Sequence, residues 1–175
     1  VTDTSITETL ASLSNDPDQG VRLTALQALG VGIPLPSMAE SFKNIAANDP
    51  VIPVRAAALM NLGRLDTPDT TSFVTQRLTD VEPAIRYAAI AGLSDQIAGQ
   101  PNLVENINPL LNDTEWEVRQ AAVQAISMVD LPQVPELLAP RLKDDIAPVR
   151  LSAVAGFADR VASQPGLFEN IRPLL

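Results

Sequence analysis

Residues 15–30 read NDPDQGVRLTALQALG, and the same pattern returns without gaps as NDPVIPVRAAALMNLG at 48–63, TDVEPAIRYAAIAGLS at 79–94, NDTEWEVRQAAVQAIS at 112–127 and KDDIAPVRLSAVAGFA at 143–158. Each copy places an Asp six residues before an Arg: Asp16 and Arg22, Asp49 and Arg55, Asp80 and Arg86, Asp113 and Arg119, Asp144 and Arg150. The residue before each Arg is Val21, Val54, Ile85, Val118 or Val149. Three on it is always Ala: Ala25, Ala58, Ala89, Ala122, Ala153. Four on it is Leu26, Leu59, Ile90, Val123 or Val154, and seven on it is Leu29, Leu62, Leu93, Ile126 or Phe157. Apolar residues at −1, +3, +4 and +7 form one stripe at helical period, so each copy predicts a helix with one buried face. Asp or Asn in the preceding turn is placed to cap it. Pro53, Pro83 and Pro148 fit its first turn, and Gly30 and Gly63 suit its end.

The arginines lie 33, 31, 33 and 31 residues apart, which indicates a larger unit of 64 residues. GLSDQIAGQPNLVENINPLL at 92–111 indeed returns as GFADRVASQPGLFENIRPLL at 156–175, identical at twelve of twenty positions. The connectors LDTP at 65–68 and VDLP at 129–132 return at the same interval. Duplication of a two-repeat block is the simplest account. A shorter amphipathic helix is expected ahead of each Arg helix, at 6–13, 37–47, 69–78, 103–111 and 133–142, with prolines 36, 68, 101 and 132 before or at the start of four of them. The repeats then run approximately 1–32, 33–65, 66–96, 97–129 and 130–161, with a partial copy at 162–175, all in one domain. The final stretch, 166–175, matches a first helix with no second helix behind it. Caps usually depart from the repeat consensus to present a polar face, and FENIRPLL does not, so a segment cut from a longer chain is expected.

Composition narrows the function. In 175 residues, 46% are apolar but only 3% aromatic, which suits closely packed helices with Ala, Leu, Val and Ile contacts better than a sheet sandwich. Twelve Lys and Arg stand against 21 Asp and Glu, a net charge of −9. That argues against nucleic acid, whose binding releases counterions from a cationic surface, and against an anionic membrane surface. No apolar run approaches a membrane span. With no Cys and no His, the chain lacks disulfides, thiolate nucleophiles, the usual zinc ligands and the commonest general base. No catalytic residue, metal or cofactor is expected.

The Asp, the Val-Arg-x-x-Ala-hydrophobic-x-x-Leu helix and the period just above thirty resemble the HEAT-like repeats of the phycobilisome-lyase type, and they do so over nearly the whole chain. The resemblance implies an all-α fold, an α-α superhelix or armadillo-like solenoid of about five helix pairs plus a final single helix. The repeat class includes scaffolds, adaptors, chromophore-lyase subunits, nucleic-acid glycosylases and an iron-dependent hydroxylase, and fold does not choose among them. The hydroxylase is excluded, because its His-Glu metal motifs need histidine.

Within that frame the Asp and Arg series reads as a structural ladder. Each Arg lies in its helix's apolar stripe, where an unpaired guanidinium would cost several kcal/mol. The turn Asp is the obvious partner, and the fork can also reach carbonyls at the end of a neighbouring helix. Asp16, Asp18 and their neighbours in NDPDQG lack the later ligands of a calcium loop, and Glu115 and Glu117 read as a dipole-favoured helix start. GVGIP at 30–34 follows a helix and lacks the Lys of a phosphate loop. Trp116, the only Trp, is either an interface anchor or packing on an adjacent turn.

Positions +1 and +5 vary most between repeats: Leu23 and Gln27, Ala56 and Met60, Tyr87 and Ala91, Gln120 and Gln124, Leu151 and Ala155. None of the ten is charged. In HEAT-like arrays the second helices line the concave side, so the resemblance implies a neutral groove. Leu23, Gln27, Met60, Tyr87, Gln120, Gln124 and Leu151, with Trp116 nearby, are its candidate partner-binding residues. The expected function is a non-catalytic scaffold or adaptor that holds a protein or peptide, in trans or from the rest of its own parent chain. The alternative is a subunit of a bilin-lyase-type, chromophore-handling enzyme.

Overall fold

A computed structural model describes residues 4–32 and 35–163. The expected final helix at 166–175 lies outside them. Among the described residues there are ten α-helices and no strand. They fall into two compact units, Val1–Asp95 and Gln96–Leu175.

The first unit holds three helix pairs: α1 (Thr4–Leu13) with α2 (Gln19–Val31), α3 (Ala39–Asn48) with α4 (Ile52–Gly63), and α5 (Pro68–Thr75) with α6 (Pro83–Leu93). A 3₁₀ turn at Pro36–Met38 leads into α3, and another at Gln76–Thr79 extends α5. The longer helices form one layer, α2 on α4 and α4 on α6, and the shorter helices pack against it. The stripe supplies the core: Leu26, Leu29, Val54, Ala58, Leu59, Leu62, Ile85, Ala89, Ile90 and Leu93 are all buried, with Phe42, Ile45 and Val74 opposite.

The second unit holds α7 (Leu103–Ile107) with α8 (Trp116–Ser127), and α9 (Val134–Leu138) with α10 (Ala147–Ser163). Its short helices tighten into 3₁₀ turns at Asn108–Asn112 and Ala139–Lys143. Pro109 and Pro140 sit at those junctions. A proline lacks the donor an α-helix needs and crowds the carbonyl four residues back, so the α pattern stops there. α8 packs on α10, and Val118, Ala122, Val123, Ile126, Val149, Ala153, Ile107 and Leu138 are buried between the layers.

Two local expectations need correction, and one gains a second reason. Val21 is 37% exposed and Val154 56%, although their equivalents are buried. Val21 opens onto a hollow that it shares with Leu10 and Leu13 of α1. The ladder Asp residues do not cap the following helix; only Asp18, two residues later, caps α2 by accepting from Gly20 and Val21 N–H. Gly63 is the last residue of α4, as expected, and it also stands at a backbone crossing: a Cβ there would sit 2.4 Å from the carbonyl oxygen of Gly92.

Candidate functional site

The ladder has a regular geometry. In all five turns the Asp Oδ1 accepts the N–H two residues on: Asp18, Val51, Glu82, Glu115 and Ile146 donate at 2.8–3.0 Å. In all five the Arg Nη1 donates to the backbone carbonyl, not the carboxylate, of its own turn's Asp, at 2.7–3.0 Å. In two of them the rest of the fork points to the next repeat. Arg22 Nε and Nη2 donate to Asp49 at 2.7 and 3.1 Å, and Arg119 Nε and Nη2 to Asp144 at 2.8 and 2.9 Å. For Arg22 and Arg119 the expected pairing with the carboxylate of the same turn is therefore replaced by a bond between repeats. Spacing alone could not reveal this, because six residues of sequence separate the pair within a turn whichever Asp the fork meets.

Electrostatics follow the geometry. At Asp144 the Arg119 fork, opposed by burial and aided by the Ile146 N–H, holds the carboxyl below its usual range. At Asp49 burial pushes the pKa upward, but the Arg22 fork, the Val51 N–H and the charges of Arg22 and Arg55 outweigh it, and the net shift is downward. The partners respond in kind, Arg22 raised chiefly by its bond to Asp49 and Arg119 by its bond to Asp144. These groups are saturated by one another, which suits a register device and leaves little for an anionic ligand.

The uncharged +1 and +5 positions reach the surface unevenly. In the first unit Gln27, Met60 and Tyr87 are exposed on α2, α4 and α6, while Leu23, Ala56 and Ala91 are half-buried. In the second unit Gln124, Leu151 and Ala155 are exposed and Gln120 is half-buried. Gln120, Gln124, Leu151 and Ala155 line an open groove of about 430 Å³ between α8 and α10, together with Ser127, Pro148, Ser152 and Gly156. Both glutamine Nε2 atoms donate to Ser152 Oγ, at 3.4 and 3.3 Å. The sequence pattern missed Ser152, which sits at +2 and becomes the floor where the two amides converge. Trp116 is the first residue of α8 and is half-buried, one turn before Gln120 but not itself among the groove's lining residues. Among the described residues no three acidic side chains gather as metal ligands, and no helix is long and apolar enough to cross a membrane.

A family model for HEAT repeats matches residues 39–103 and 73–158. No curated protein matches closely enough in sequence to count as a relative. Solved structures do match in shape. The complex of CpcE and CpcF of phycocyanin lyase from Nostoc sp. PCC7120 superposes with a TM-score of 0.67 at 21% identity, covering 89% of this chain and 100% of that one. The YibA protein of Escherichia coli gives 0.66 at 21% identity, covering 93% of this chain and 63% of YibA. A designed armadillo repeat protein in complex with the peptide (KR)4 gives 0.63 at 15% identity, covering 94% and 86%. These likenesses concern the fold.

Proposed function

Because the chain belongs to the HEAT-repeat family, a solenoid class that commonly binds proteins, we propose that it is a non-catalytic scaffold. It holds a protein or peptide partner against the exposed face of its second helices. The observation that carries this reading is the uncharged surface of that face in a chain with a net charge of −9. A solvated helix face would ordinarily carry Glu, Lys or Arg, and a contiguous uncharged strip often marks a binding site. In the second unit Gln120 and Gln124 add amide groups around Ser152, suited to the backbone donors and acceptors of an extended peptide. The acidic remainder of the surface favours a neutral or basic partner. The armadillo design bound to its basic peptide is consistent with such use of the fold.

A photocrosslinking residue tests the reading. Placed at Met60 or Gln124 it is expected to label a bound peptide selected by display against the intact chain. Placed at Glu136, exposed on α9, it is expected not to. Labelling from 136 alone would overturn the proposal. The second reading is a subunit of a bilin-lyase-type enzyme, for which the likeness to the CpcE and CpcF complex speaks. New visible absorbance on mixing the chain with a linear tetrapyrrole would favour it.

A further inference from the structure

Gln120 and Gln124 stand four residues apart on α8 and meet Ser152 of α10 in the groove between those helices. One N–H of each amide goes to Ser152 Oγ, by long bonds of 3.4 and 3.3 Å. Among the described residues neither the second N–H nor the Oε1 of either amide is bonded. Ser152 itself is only 9% exposed. Ser94 and Ser127 donate their hydroxyl protons to carbonyls of the helices they end, at 2.9 and 2.7 Å, as such serines commonly do. Ser152 accepts both amides and, among the described residues, donates to no acceptor. The groove therefore holds two amides, each with a donor and an acceptor left over, above a buried hydroxyl with a proton left over. Polar groups in a partly desolvated site cost free energy until a ligand supplies their partners.

The spacing identifies the chemistry of that ligand. Residues four apart on an α-helix are separated by about 6 Å along its axis. In an extended chain the N–H and C=O groups along one edge recur every second residue, at about 6.6 Å. A primary amide offers one N–H and one C=O side by side, as a residue of a neighbouring strand does. Two such amides at this interval match the edge of an extended polypeptide, whereas a helical partner has already satisfied its backbone internally. No charged residue lines the groove, and Pro148 and Leu151 give it an apolar wall, so the segment it takes is uncharged. From Pro148 to Gly156 the lining follows about 12 Å of α10, the length of about four extended residues.

Resting on the reading of this face as a partner surface, we propose that the groove takes an extended, uncharged segment of a partner polypeptide running along α8. Gln120 and Gln124 pair, each through its free N–H and Oε1, with the backbone of two residues two apart, and Ser152 holds both amides in line. Recognition is of main chain more than of sequence, and side chains of the segment are read only where they meet Pro148 and Leu151.

Ester replacement of single peptide bonds tests this, in a peptide selected by display against the intact chain. Each ester removes one backbone N–H. Two replacements, two residues apart, are each expected to weaken binding about fivefold, the contribution of one neutral hydrogen bond. Both losses should vanish in Gln120→Leu with Gln124→Leu, checked for native circular dichroism. The spacing found with the parent decides the matter alone if the double variant does not fold. A flat scan, sensitive bonds three or four apart, or losses that persist in a folded double variant would overturn the inference. If the scan is flat while a crosslinker at position 124 still labels the peptide, the partner-binding reading stands without it. If no peptide is labelled from position 60 or 124, both fall. Crosslinking between two copies of the chain from position 124, with no peptide present, would put a second copy in the groove and overturn the inference as well.

Discussion

The guanidinium of Arg119 holds the carboxylate of Asp144, twenty-five residues on and one repeat further along, by two bonds of 2.8 and 2.9 Å. The same residue ties down its own turn through the Asp113 carbonyl at 2.9 Å. One side chain thereby fixes both the local turn and its register with the next. Arg119→Ala is expected to cost about 2 kcal/mol, because the Asp144 carboxylate, 4% exposed, loses a bidentate partner and keeps only the Ile146 N–H and Arg141 at 3.7 Å. Arg55→Ala should cost less, since the bond described for Arg55 is a single one to the Asp49 carbonyl. Urea denaturation of the two variants checks the order.

Acid should loosen the same joints. Asp49 and Asp144 titrate below the ordinary carboxylate value in the folded chain. A depressed folded pKa means that the unfolded state binds protons more readily, so the pairs contribute their stability in full above the unfolded pKa of about 4 and lose it as pH falls through the folded value. Thermal melts should therefore change little from pH 7 to 5 on account of these groups and fall steeply below about pH 4. The Arg119→Ala variant should show a shallower acid slope than the parent.

The helix pairs are legible in the sequence because five Arg-centred stripes carry the same apolar positions. What escaped was whatever depends on a neighbour. Val21 and Val154 match their equivalents in sequence but stand exposed, since burial is a property of two surfaces and periodicity describes one. The Arg–Asp partnership had the same weakness, with two Asp residues available to each Arg. Of the candidate face, Gln27, Met60, Tyr87, Gln124 and Leu151 are exposed as expected, whereas Leu23 and Gln120 are half-buried. Ser152 drew no attention because a serine at +2 belongs to no stripe.

Gly63 offers a further check. Its Cβ position lies within 2.6 Å of three backbone atoms of Gly92, so Gly63→Ala must push α4 and α6 apart. Overpacking of this kind costs about 1–3 kcal/mol, against a helix-propensity gain of up to about 1 kcal/mol. At Gly99 the added methyl meets only the Gln96 carbonyl, at 3.6 Å, and Gly99→Ala should be nearly neutral. Melting temperatures of the two variants are expected to separate clearly; equal values would mean that the α4–α6 crossing is looser than described.

Binding of a protein partner by the uncharged second-helix face is tested by one titration. A peptide is first selected against the unmodified chain from a random display library. Its affinity is then measured by calorimetry for the parent and for Met60→Glu with Tyr87→Glu. Both side chains are substantially exposed, at 39% and 44%, so the pair should unfold within about 0.5 kcal/mol of the parent. Binding should weaken at least tenfold, about 1.4 kcal/mol. An unchanged dissociation constant in a folded double variant would contradict the account.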